Sequence, residues 1–353
     1  MLVLTLGTTS LLPTTGFRRQ PIALYTSEVC VGHSPGSATL KGYTHPEQPA
    51  RLEGLLTELR TKWVGEFGRL LQVKEPDADV TVKQLLRVHT RAHLGRLDLA
   101  FKRASFFGGK ASLDTDTIAS AGTRAAVVRA AGLVVAAVDD VFGGERSAAD
   151  GDAAEKPRRA FVMARPPGHH AEKDSAQGFC FCNNVLVGVA HAQAVHRIGR
   201  VAILDFDVHH GNGDEDITEP NPTRLYVSSH EVPNFPGTGE VPGTSGRHGN
   251  VLNAPLPANT GSQAFRRVWR QELLPRVREF DPEAIFLSAG FDAHADDPLS
   301  SVRLSDDDFA WLTTEVVKIG GGTLPIISVL EGGYNVQRLQ RSVRAHLKAL
   351  MVA

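Results

Sequence analysis

The sequence predicts one α/β domain with a mostly parallel central sheet and helices on both faces. From residue 160 onwards, short apolar runs alternate with long helical segments, which is the pattern of βαβ units. The apolar runs contain few polar residues, as expected of strands that are buried on both faces of a parallel sheet. The 353 residues, of which 42% are hydrophobic, are enough for one large core, and no internal repeat divides them.

The individual elements are predicted from apolar periodicity and from the positions of Gly and Pro. A strand is expected at residues 21–25, and a loop rich in Gly, Ser and Pro follows over residues 31–42. Residues 143–159 are charged, rich in Ala and Gly and without periodicity, which predicts a disordered surface insertion. Further strands are predicted at residues 160–164, 201–207, 224–229, 284–289 and 325–330. Helices are predicted at residues 45–63, 89–104, 121–142, 184–196, 262–280, 305–319 and 336–351, with a short element that begins over residues 80–86.

The charge balance and the cysteine content argue against several classes of protein. Lys+Arg 38 against Asp+Glu 39 gives a net charge of −1. This is not the charge of a nucleic-acid binder, so no direct nucleic-acid binding is expected. No apolar run reaches the length of a membrane span. The three cysteines, Cys30, Cys180 and Cys182, are typical of a reducing compartment rather than of a disulfide scaffold.

The first 20 residues contain no acidic residue, are rich in Thr and carry Arg18 and Arg19. This composition fits an organelle transit peptide, and a disordered leader fits it equally well. We therefore expect residues 21–353 to form the domain. The expected location is intracellular, either the cytoplasm or an organelle such as a plastid or mitochondrion.

Ionisable or phenolic residues follow four of the predicted strands, at the point where each strand ends. In open parallel sheets, ligands bind beyond the carboxyl ends of the strands, so these residues are expected to meet at one edge. Four such strand ends together strongly indicate an active site. The four segments are Arg165-Pro-Pro-Gly-His-His170, Asp205-Phe-Asp-Val-His-His210, Gly290-Phe-Asp-Ala-His294 and Glu331-Gly-Gly-Tyr-Asn335.

Within these segments, Asp207, His209 and Asp292 supply two carboxylates and one imidazole. Catalytic zinc takes three protein ligands and keeps an open position for water and substrate. These three residues are therefore the candidate metal ligands.

Three further side chains complete a hydrolytic site. His169 and His170 lie on a separate loop, from which an imidazole could activate water. Tyr334 could reach the substrate oxygen. A metal ion and a phenol that polarise one carbonyl, together with an imidazole that activates water, would hydrolyse an amide.

Each of these residues also has an interpretation without catalysis. The strand-end acids could form a buried ion cluster that holds no metal. Asp292 could cap a helix, with His294 as the ligand in its place. His169 and His170 could cap a turn, and Tyr334 could be a packed aromatic residue.

Two other acidic groups are interpreted as purely structural. Asp296 and Asp297 are expected to form a solvated turn before Pro298. The segment Asp306-Asp-Asp308 is expected to be the first turn of a helix, where the helix dipole favours acids.

Taken together, the motifs resemble the zinc-dependent histone deacetylase family, which has the arginase/deacetylase fold. The resemblance extends from about His45 to Asn335. It is closer to the class II branch and its bacterial and plastid-type relatives than to class I. The motifs that carry it are His45-Pro-Glu-x-Pro-x-Arg51, Arg165-Pro-Pro-Gly-His-His170, Gly178-Phe-Cys-Phe-Cys-Asn-Asn184, Asp205-x-Asp-x-His-His-Gly-Asn-Gly213, Phe235-Pro-Gly-Thr-Gly239, Gly290-Phe-Asp-Ala-His294 with Asp297-Pro-Leu299, and Leu330-Glu-Gly-Gly-Tyr334.

The resemblance implies one catalytic zinc ion, bound by Asp207, His209 and Asp292. It also implies the catalytic roles. His170 is the general base that activates water and then protonates the amine, His169 is its electrostatic partner, Asp205 orients His169, Asn212 orients His170, and Tyr334 stabilises the transition state. Class I members more often have Asp at the position of Asn212, so His170 should be less basic here than beside a carboxylate.

The resemblance also implies a narrow tunnel for an acyl-lysine side chain, with Gly178, Phe179 and Phe235 as its walls. Leu299 matches a rim position that is Glu in polyamine-selective members. Asp116 is a further candidate for the rim, although its loop aligns poorly with the family.

Potassium binding is a further property that the resemblance implies. Asp205, Asp207, His209 and Ser228 would contribute to the potassium site nearest the zinc ion, largely through backbone oxygens.

The predicted activity is therefore the removal of acetyl groups from lysine side chains of proteins. Acetylpolyamines or another small acetylated amine are possible substrates in place of acetyl-lysine. Two rival functions are a catalytically silent binding module and an arginase-like hydrolase with two manganese ions. The arginase-like hydrolase would need bridging carboxylates that the segment Gly211-Asn-Gly213 does not provide.

Overall fold

The structure is a computed structural model that describes residues 19–36, 44–106, 109–143 and 157–352. Residues 1–18 of the predicted leader and residues 144–156 of the predicted insertion lie outside the described residues. Arg19 and Gln20, the last two residues of the predicted leader, pair with the backbone of Val352 and Met351. The folded part of the chain therefore begins before residue 21.

Within the described residues, nine strands form the central sheet and two form a hairpin. The strands are β1 Ile22–Thr26, β2 Leu71–Lys74, β3 Ala111–Ser112, β4 Ile118–Ala119, β5 Arg159–Met163, β6 Val201–Asp205, β7 Arg224–Glu231, β8 Gly243–Ser245, β9 Val251–Leu256, β10 Ala284–Ala289 and β11 Ile326–Leu330. The sheet has the order β2-β1-β5-β11-β10-β6-β7-β9-β8, and β3 pairs with β4. Its neighbours are parallel except for β8, which pairs antiparallel with β9 at one edge.

The central strands β1, β5, β6, β7, β10 and β11 are buried at every residue. A strand without an exposed side chain must be covered on both faces of its sheet. Helices provide this cover, so the predicted α/β class with a mostly parallel sheet is confirmed.

The helices pack against one another as well as against the sheet. The α-helices are α1 Ala50–Glu58, α2 Val64–Phe67, α3 Val82–Leu85, α4 Arg91–Phe106, α5 Thr123–Phe142, α6 Asn184–His196, α7 Asn212–Thr218, α8 Ser262–Val268, α9 Leu274–Phe280, α10 Asp306–Val317 and α11 Val336–Leu350. Among the contacts between α-helices, those of α5 with α6, of α10 with α11 and of α1 with α11 are the most extensive. Two π-helical turns, Leu59–Trp63 and Trp269–Leu273, continue α1 into α2 and α8 into α9. In the part of the chain that the structure describes, no helix has both the length and the hydropathy needed to cross a membrane.

Some predicted boundaries are wrong. The strand predicted at residues 201–207 ends at Asp205, and the next residues bend. Asp207, which was predicted to end this strand, therefore lies beyond it. The helix predicted from residue 45 begins at Ala50, because Pro49 disfavours the helical conformation for the residue before it.

The sequence did not predict β2, β8, β9 or α7. β2 and β8 are short edge strands, and β9 contains Asn253 and Pro255, so none has the apolar run that marks a buried strand. Arg159 lies in the predicted insertion but begins β5 and is buried. Its guanidinium donates to the carbonyl oxygens of Leu350 and Gly322, which stabilises a charge inside the fold.

A buried ion pair joins the end of β5 to the segment before α1. The guanidinium of Arg165 donates to both carboxylate oxygens of Glu47 and, at 2.7 Å, to the carbonyl oxygen of His33. Arg165 and Glu47 are 1% and 0% exposed. Burial alone would raise the pKa of Glu47, but the Arg165 charge and the contact with His33 hold it well below its usual range. Glu47 is therefore ionised and is the counter-charge that Arg165 requires.

We expect Glu47→Ala to lower the free energy of unfolding by about 3–5 kcal/mol, because the substitution leaves Arg165 buried without a counter-charge. Urea denaturation followed by circular dichroism measures this change. Glu66→Ala is the matched control, since it removes a partly exposed pair with Arg344 and should cost about 1 kcal/mol or less. Equal losses of unfolding free energy in Glu47→Ala and Glu66→Ala would contradict the assignment of Glu47 as the counter-charge of Arg165.

Candidate metal centre and active site

The four segments identified at strand ends belong to four strands that are neighbours in the sheet. These strands are β5, β11, β10 and β6, in that order. All four are parallel, so their carboxyl ends meet at one edge. The fold therefore brings together residues that are far apart in the sequence.

The candidate metal ligands Asp207, His209 and Asp292 converge at this edge. His209 Nδ1 lies 3.0 Å from Asp207 Oδ1 and 3.2 Å from Asp292 Oδ2. Ligands around tetrahedral zinc are about 3.3 Å apart, given metal–ligand distances of roughly 2.0–2.1 Å. Asp292 Oδ2 is buried and has no hydrogen-bond partner among the described residues. The three donor atoms therefore fit a divalent ion.

Glycines and backbone N–H groups surround these carboxylates. A side chain at Gly332 would overlap the carboxylates of Asp207 and Asp292, and one at Gly290 would overlap Asp207. The N–H of Gly332 donates to Asp207 Oδ2 at 2.8 Å, and the N–H of Val208 donates to Asp292 Oδ1 at 2.9 Å. Each carboxylate is thus held in place while one oxygen remains directed at the shared space.

The electrostatics of the three ligands favour a bound cation. Burial and the Asp207 charge raise the pKa of Asp292 to about 7. Burial alone would lower the pKa of His209, but its contacts with Asp207 and Asp292 raise it to about 10. Two buried carboxylates at this distance repel each other, and a divalent ion would compensate both charges.

Two other groups of metal-binding side chains occur in the described residues, namely His89 with His93 and Cys182, and Asp139 with His191 and His196. In the first, Nδ1 of His89 contacts the carbonyl oxygen of Glu172, and Nε2 accepts the N–H of Asn183. In the second, both histidines donate to Asp139 at 2.7 Å, and Arg87 donates to the other nitrogen of His191. These contacts occupy the ring nitrogens, so both groups are hydrogen-bond networks.

The orientation of His170 depends on Asn212 and Glu172. Asn212 Nδ2 donates to Glu172 Oε1 at 2.7 Å, which assigns the amide orientation. The other amide atom, Oδ1, then accepts from His170 Nδ1 at 2.9 Å. His170 Nε2 is therefore the unprotonated nitrogen and is able to accept a proton. Glu172 was not among the predicted site residues.

His169 is paired with a carboxylate instead. Its Nδ1 lies 3.2 Å from Asp205 Oδ2, and Tyr226 donates its hydroxyl to the same oxygen. Burial would lower the pKa of His169, but the charges of Asp207 and Asp205 raise it well above its usual value. The pKa of His170 is held well below its usual value by burial and by the neighbouring histidines. The two adjacent imidazoles thus differ in pKa, and His169 is the one more readily protonated.

Two buried acids near the histidines were not predicted as site residues. Glu331 Oε2 accepts the N–H groups of Gly168 and His169 at 2.6 and 3.1 Å. Asp214 accepts from Asn183 and Ser288. Burial is the main cause that raises the pKa of Glu331 to about 8 and that of Asp214 to about 7. The sequence signal for Glu331 was its position directly after the apolar run of β11.

A cavity of about 350 Å³ leads to the candidate metal ligands. The predicted tunnel residues Gly178, Phe179, Phe235 and Leu299 all line it, together with His170, His209 and Tyr334. The ring centroids of Phe235 and His170 are 4.9 Å apart, and those of Phe179 and Tyr334 are 5.7 Å apart. A side chain at Gly178 would overlap His170 and Phe235. The walls are therefore aromatic and close to the candidate catalytic groups.

Asp116 also lines the mouth of this cavity. Its carboxylate accepts a backbone hydrogen bond from Gly178. Partial burial and the nearby Asp114 raise the pKa of Asp116 to about 6. The mouth thus contains a carboxylate that is mostly ionised at neutral pH.

Other residues lie in places that differ from their predicted roles. Asp297 is buried and accepts backbone N–H groups of Leu299, Tyr334 and Asn335. The prediction of a solvated turn is therefore wrong for Asp297. His294 Nε2 lies 3.7 Å from Asp306, and its Nδ1 accepts the N–H of Asp296, so it does not face the ligand cluster.

The predicted potassium residues are close together, since Asp205 and Ser228 are partners across β6 and β7. The hydroxyl of Ser228 contacts His230 Nδ1 at 2.8 Å. Potassium binding stays a prediction.

The fold and the site define a protein of the arginase/deacetylase class. The family profile for the histone deacetylase domain matches residues 45–350, so the chain belongs to the histone deacetylase family. Histone deacetylase 14, chloroplastic, of Arabidopsis thaliana is 33% identical over 93% of this chain and 76% of its own length. A histone deacetylase-like amidohydrolase of Pseudomonas aeruginosa is 35% identical over 89% of this chain and 81% of its own length. The crystal structure of the HDA15 HD domain superposes with a TM-score of 0.82 at 30% identity and covers 94% of this chain and 88% of that domain.

We expect the purified protein to contain one transition-metal ion per chain, bound by Asp207, His209 and Asp292. Elemental analysis by mass spectrometry measures the ratio. His209→Ala should abolish stoichiometric binding, since it removes one of three ligands. His191→Ala, in the hydrogen-bond network with Asp139, is the control and should retain the ion. A ratio of two, or none, in the wild-type protein would contradict this expectation.

Proposed function

We propose that this protein is a zinc-dependent deacetylase that hydrolyses the acetyl-lysine side chains of proteins. The observation that carries the proposal is the convergence of three groups on one aromatic-walled cavity. These groups are the cluster of Asp207, His209 and Asp292, the unprotonated nitrogen of His170, and the phenol of Tyr334. A metal-dependent amide hydrolase combines a metal ion that polarises the carbonyl, a base that activates water and a donor that stabilises the oxyanion.

Zinc bound by Asp207, His209 and Asp292 would supply Lewis acidity, which polarises the amide carbonyl and lowers the pKa of water. The chemistry of the ligands supports zinc rather than calcium or magnesium, because an imidazole nitrogen is a ligand that zinc prefers. The chain offers no second set of bridging carboxylates at Gly211-Asn-Gly213, which argues against a site with two manganese ions.

The side chains around the cavity would perform the remaining steps. The rings of Phe179 and Phe235 enclose the apolar stem of the acylated lysine, which is uncharged while the acetyl group is attached. His170 Nε2 accepts the proton of the attacking water, whose oxygen bonds to the carbonyl carbon. The same nitrogen then donates that proton to the amine as the C–N bond breaks, which yields acetate and free lysine.

His169 and Tyr334 stabilise charge during this reaction. The imidazolium of His169, held by Asp205, keeps His170 neutral by repulsion and compensates the negative charge that develops. Burial raises the pKa of Tyr334 well above its usual value, so its hydroxyl stays protonated and can donate a hydrogen bond to the oxyanion. The presence of these groups argues against a catalytically silent binding module.

Hydrolysis of an acetylpolyamine is the second candidate function, and the position of Asp116 at the mouth of the cavity favours it. A polyamine keeps a cationic amine outside the tunnel, and a rim carboxylate would attract that amine. Leu299, which also lines this cavity, is neutral and apolar. We therefore retain acetyl-lysine as the preferred substrate.

Potassium binding and location are also part of the proposal. A potassium ion at Asp205, Asp207, His209 and Ser228 would screen the buried carboxylates of Asp205 and Asp207.

A plastid location is supported by the acid-free N-terminal composition and by the chloroplastic protein of Arabidopsis thaliana.

We expect Tyr334→Phe to lower kcat by roughly 10²–10³, because it removes one oxyanion donor. The metal content and the stability should not change. His170→Ala should be at least as damaging, and His169→Ala somewhat less. A fluorogenic acetyl-lysine peptide measures turnover, and a hydroxamate that still binds Tyr334→Phe serves as the control for an intact site. Near-wild-type turnover by Tyr334→Phe would mean that Tyr334 is only a packing residue.

We expect the wild-type enzyme to have a higher kcat/KM for acetyl-lysine peptides than for acetylspermidine. Leu299→Glu should shift this ratio towards acetylspermidine, because it adds a carboxylate at the rim. Parallel assays with both substrates measure the ratio. Wild-type preference for acetylspermidine would contradict the expectation, and loss of that preference in Asp116→Asn would then identify Asp116 as the cause.

A further inference from the structure

The single carboxylate of Asp297 contacts two segments of the chain that contribute to the cavity, one at Leu299 and one at Tyr334. Oδ2 accepts the backbone N–H of Tyr334 at 2.7 Å and that of Asn335 at 3.2 Å. Oδ1 accepts the N–H of Leu299 at 3.0 Å. The residue is only 7% exposed and is not among the described residues that line the cavity. The hydrogen bonds of Asp297 therefore reach the cavity through Tyr334 and Leu299, and its charge also acts on Asp292 and Arg51.

The peptide group between Gly333 and Tyr334 is fixed on both sides. Arg51 Nε donates to the carbonyl oxygen of Gly333 at 2.7 Å, while Asp297 accepts the N–H of the same peptide. A peptide group is planar, so fixing its oxygen and its hydrogen fixes the plane. This plane in turn sets the direction of the N–Cα bond of Tyr334, and the side chain extends from that Cα atom. Hydrogen bonds to charged groups are roughly twice as strong as neutral ones, which makes the restraint firm.

This restraint is needed because the backbone at Gly333 is conformationally flexible. Its φ of +120° lies in a region that residues with a side chain rarely adopt. Glycine also rotates more freely than other residues, so the segment that carries Tyr334 would otherwise have several orientations. The guanidinium of Arg51 lies 4.7 Å from the centre of the Tyr334 ring and limits the ring on one face.

We propose that Asp297 is a positioning residue that directs the Tyr334 hydroxyl at the substrate and, through its second oxygen, sets the tunnel rim at Leu299. This inference rests on the proposed function, since that function gives Tyr334 its role. It assigns to Asp297 two separable effects, one on kcat through Tyr334 and one on KM through Leu299.

Substitutions of Asp297 separate these effects. Asp297→Ala removes all three acceptor contacts and should lower kcat by about 10², the cost of a misplaced catalytic group. Asp297→Asn keeps one acceptor oxygen. The amide should turn its oxygen towards the N–H groups of Tyr334 and Asn335, because it then accepts two hydrogen bonds instead of one. Its NH₂ group then faces the N–H of Leu299, and the two donors repel each other. Asp297→Asn should therefore recover most of the lost kcat while KM for the peptide stays raised.

The neighbouring residue provides a matched control. Asp296 is exposed, and its carboxylate pairs with Arg338 at 2.7 Å. Asp296→Asn removes the same charge at an adjacent position and should leave kcat and KM unchanged. Equal effects of Asp296→Asn and Asp297→Asn would overturn the proposal, because the effect would then come from local charge alone.

A double-mutant cycle with Tyr334→Phe distinguishes positioning from a general loss of structure. If Asp297 acts through the Tyr334 hydroxyl, Asp297→Ala should lower kcat little further in the Tyr334→Phe background. Fully additive losses would overturn the proposal. Metal content and hydroxamate binding, measured on the same variants, should equal those of the wild-type protein.

Amide hydrogen exchange on the wild-type protein tests the contacts without any substitution. The amides of Leu299, Tyr334 and Asn335 should be protected, and they should remain protected in Asp296→Asn. Rapid exchange at Tyr334 and Asn335 would overturn the proposal even if no Asp297 variant folds. Failure of the proposed function has a different signature, namely no hydrolysis of acetyl-lysine by the wild-type protein, and it would leave the exchange result interpretable.

Discussion

The mutual repulsion of two buried carboxylates is the constraint on which the rest of the site depends. Asp207 and Asp292 follow adjacent strands, and both side chains are fully buried. A fold can keep two such charges together only if other groups compensate them. Here backbone N–H groups donate to both oxygens of Asp207 and to Oδ1 of Asp292, and the His209 ring lies between Asp207 Oδ1 and Asp292 Oδ2. The requirement for close approach also explains why Gly332 occupies its position, since any side chain would fill the space between the acids.

The same constraint extends into the layer beneath the ligands. Asp205, Asp214 and Glu331 are buried acids that surround His169 and accept backbone or side-chain hydrogen bonds. So many acids in one region would be unstable if all were ionised without a cation. A protonated His169, which the charges of Asp207 and Asp205 favour, would compensate part of this charge, and burial opposes the ionisation of Asp214 and Glu331 by raising the pKa of each. The buried acids thus lower the stability of this region, but they belong to a site whose charges are already in position before the substrate binds.

The sequence predicted the sheet and most of the site because apolar runs ending in acids and histidines are local patterns. It could not predict the order of the strands, since β5 and β11 are neighbours in the sheet although five other strands of that sheet lie between them along the chain. Asp297 shows the same limit at a single residue. The local pattern Asp296-Asp297-Pro298 is typical of a solvated turn, but the partners of Asp297 lie 37 and 38 residues away. The sequence did not predict edge strands such as β2, because only one face of such a strand needs apolar side chains and no continuous apolar run marks it.

The presence of Asn212 instead of a carboxylate has a consequence for His170 as the proposed general base. A carboxylate at this position would raise the pKa of His170 and so increase the fraction of the imidazolium form, which cannot accept a proton from water. The amide orients the ring without adding charge, and Glu172 prevents the amide from turning over by accepting its NH₂ group. Because the charges of Asp207 and Asp205 favour a protonated His169, a second imidazolium beside it would also be repelled. In the proposed mechanism the pair therefore divides its functions, with His169 as the charged partner and His170 as the neutral base, and the difference arises from one carboxylate at Asp205 and one amide at Asn212.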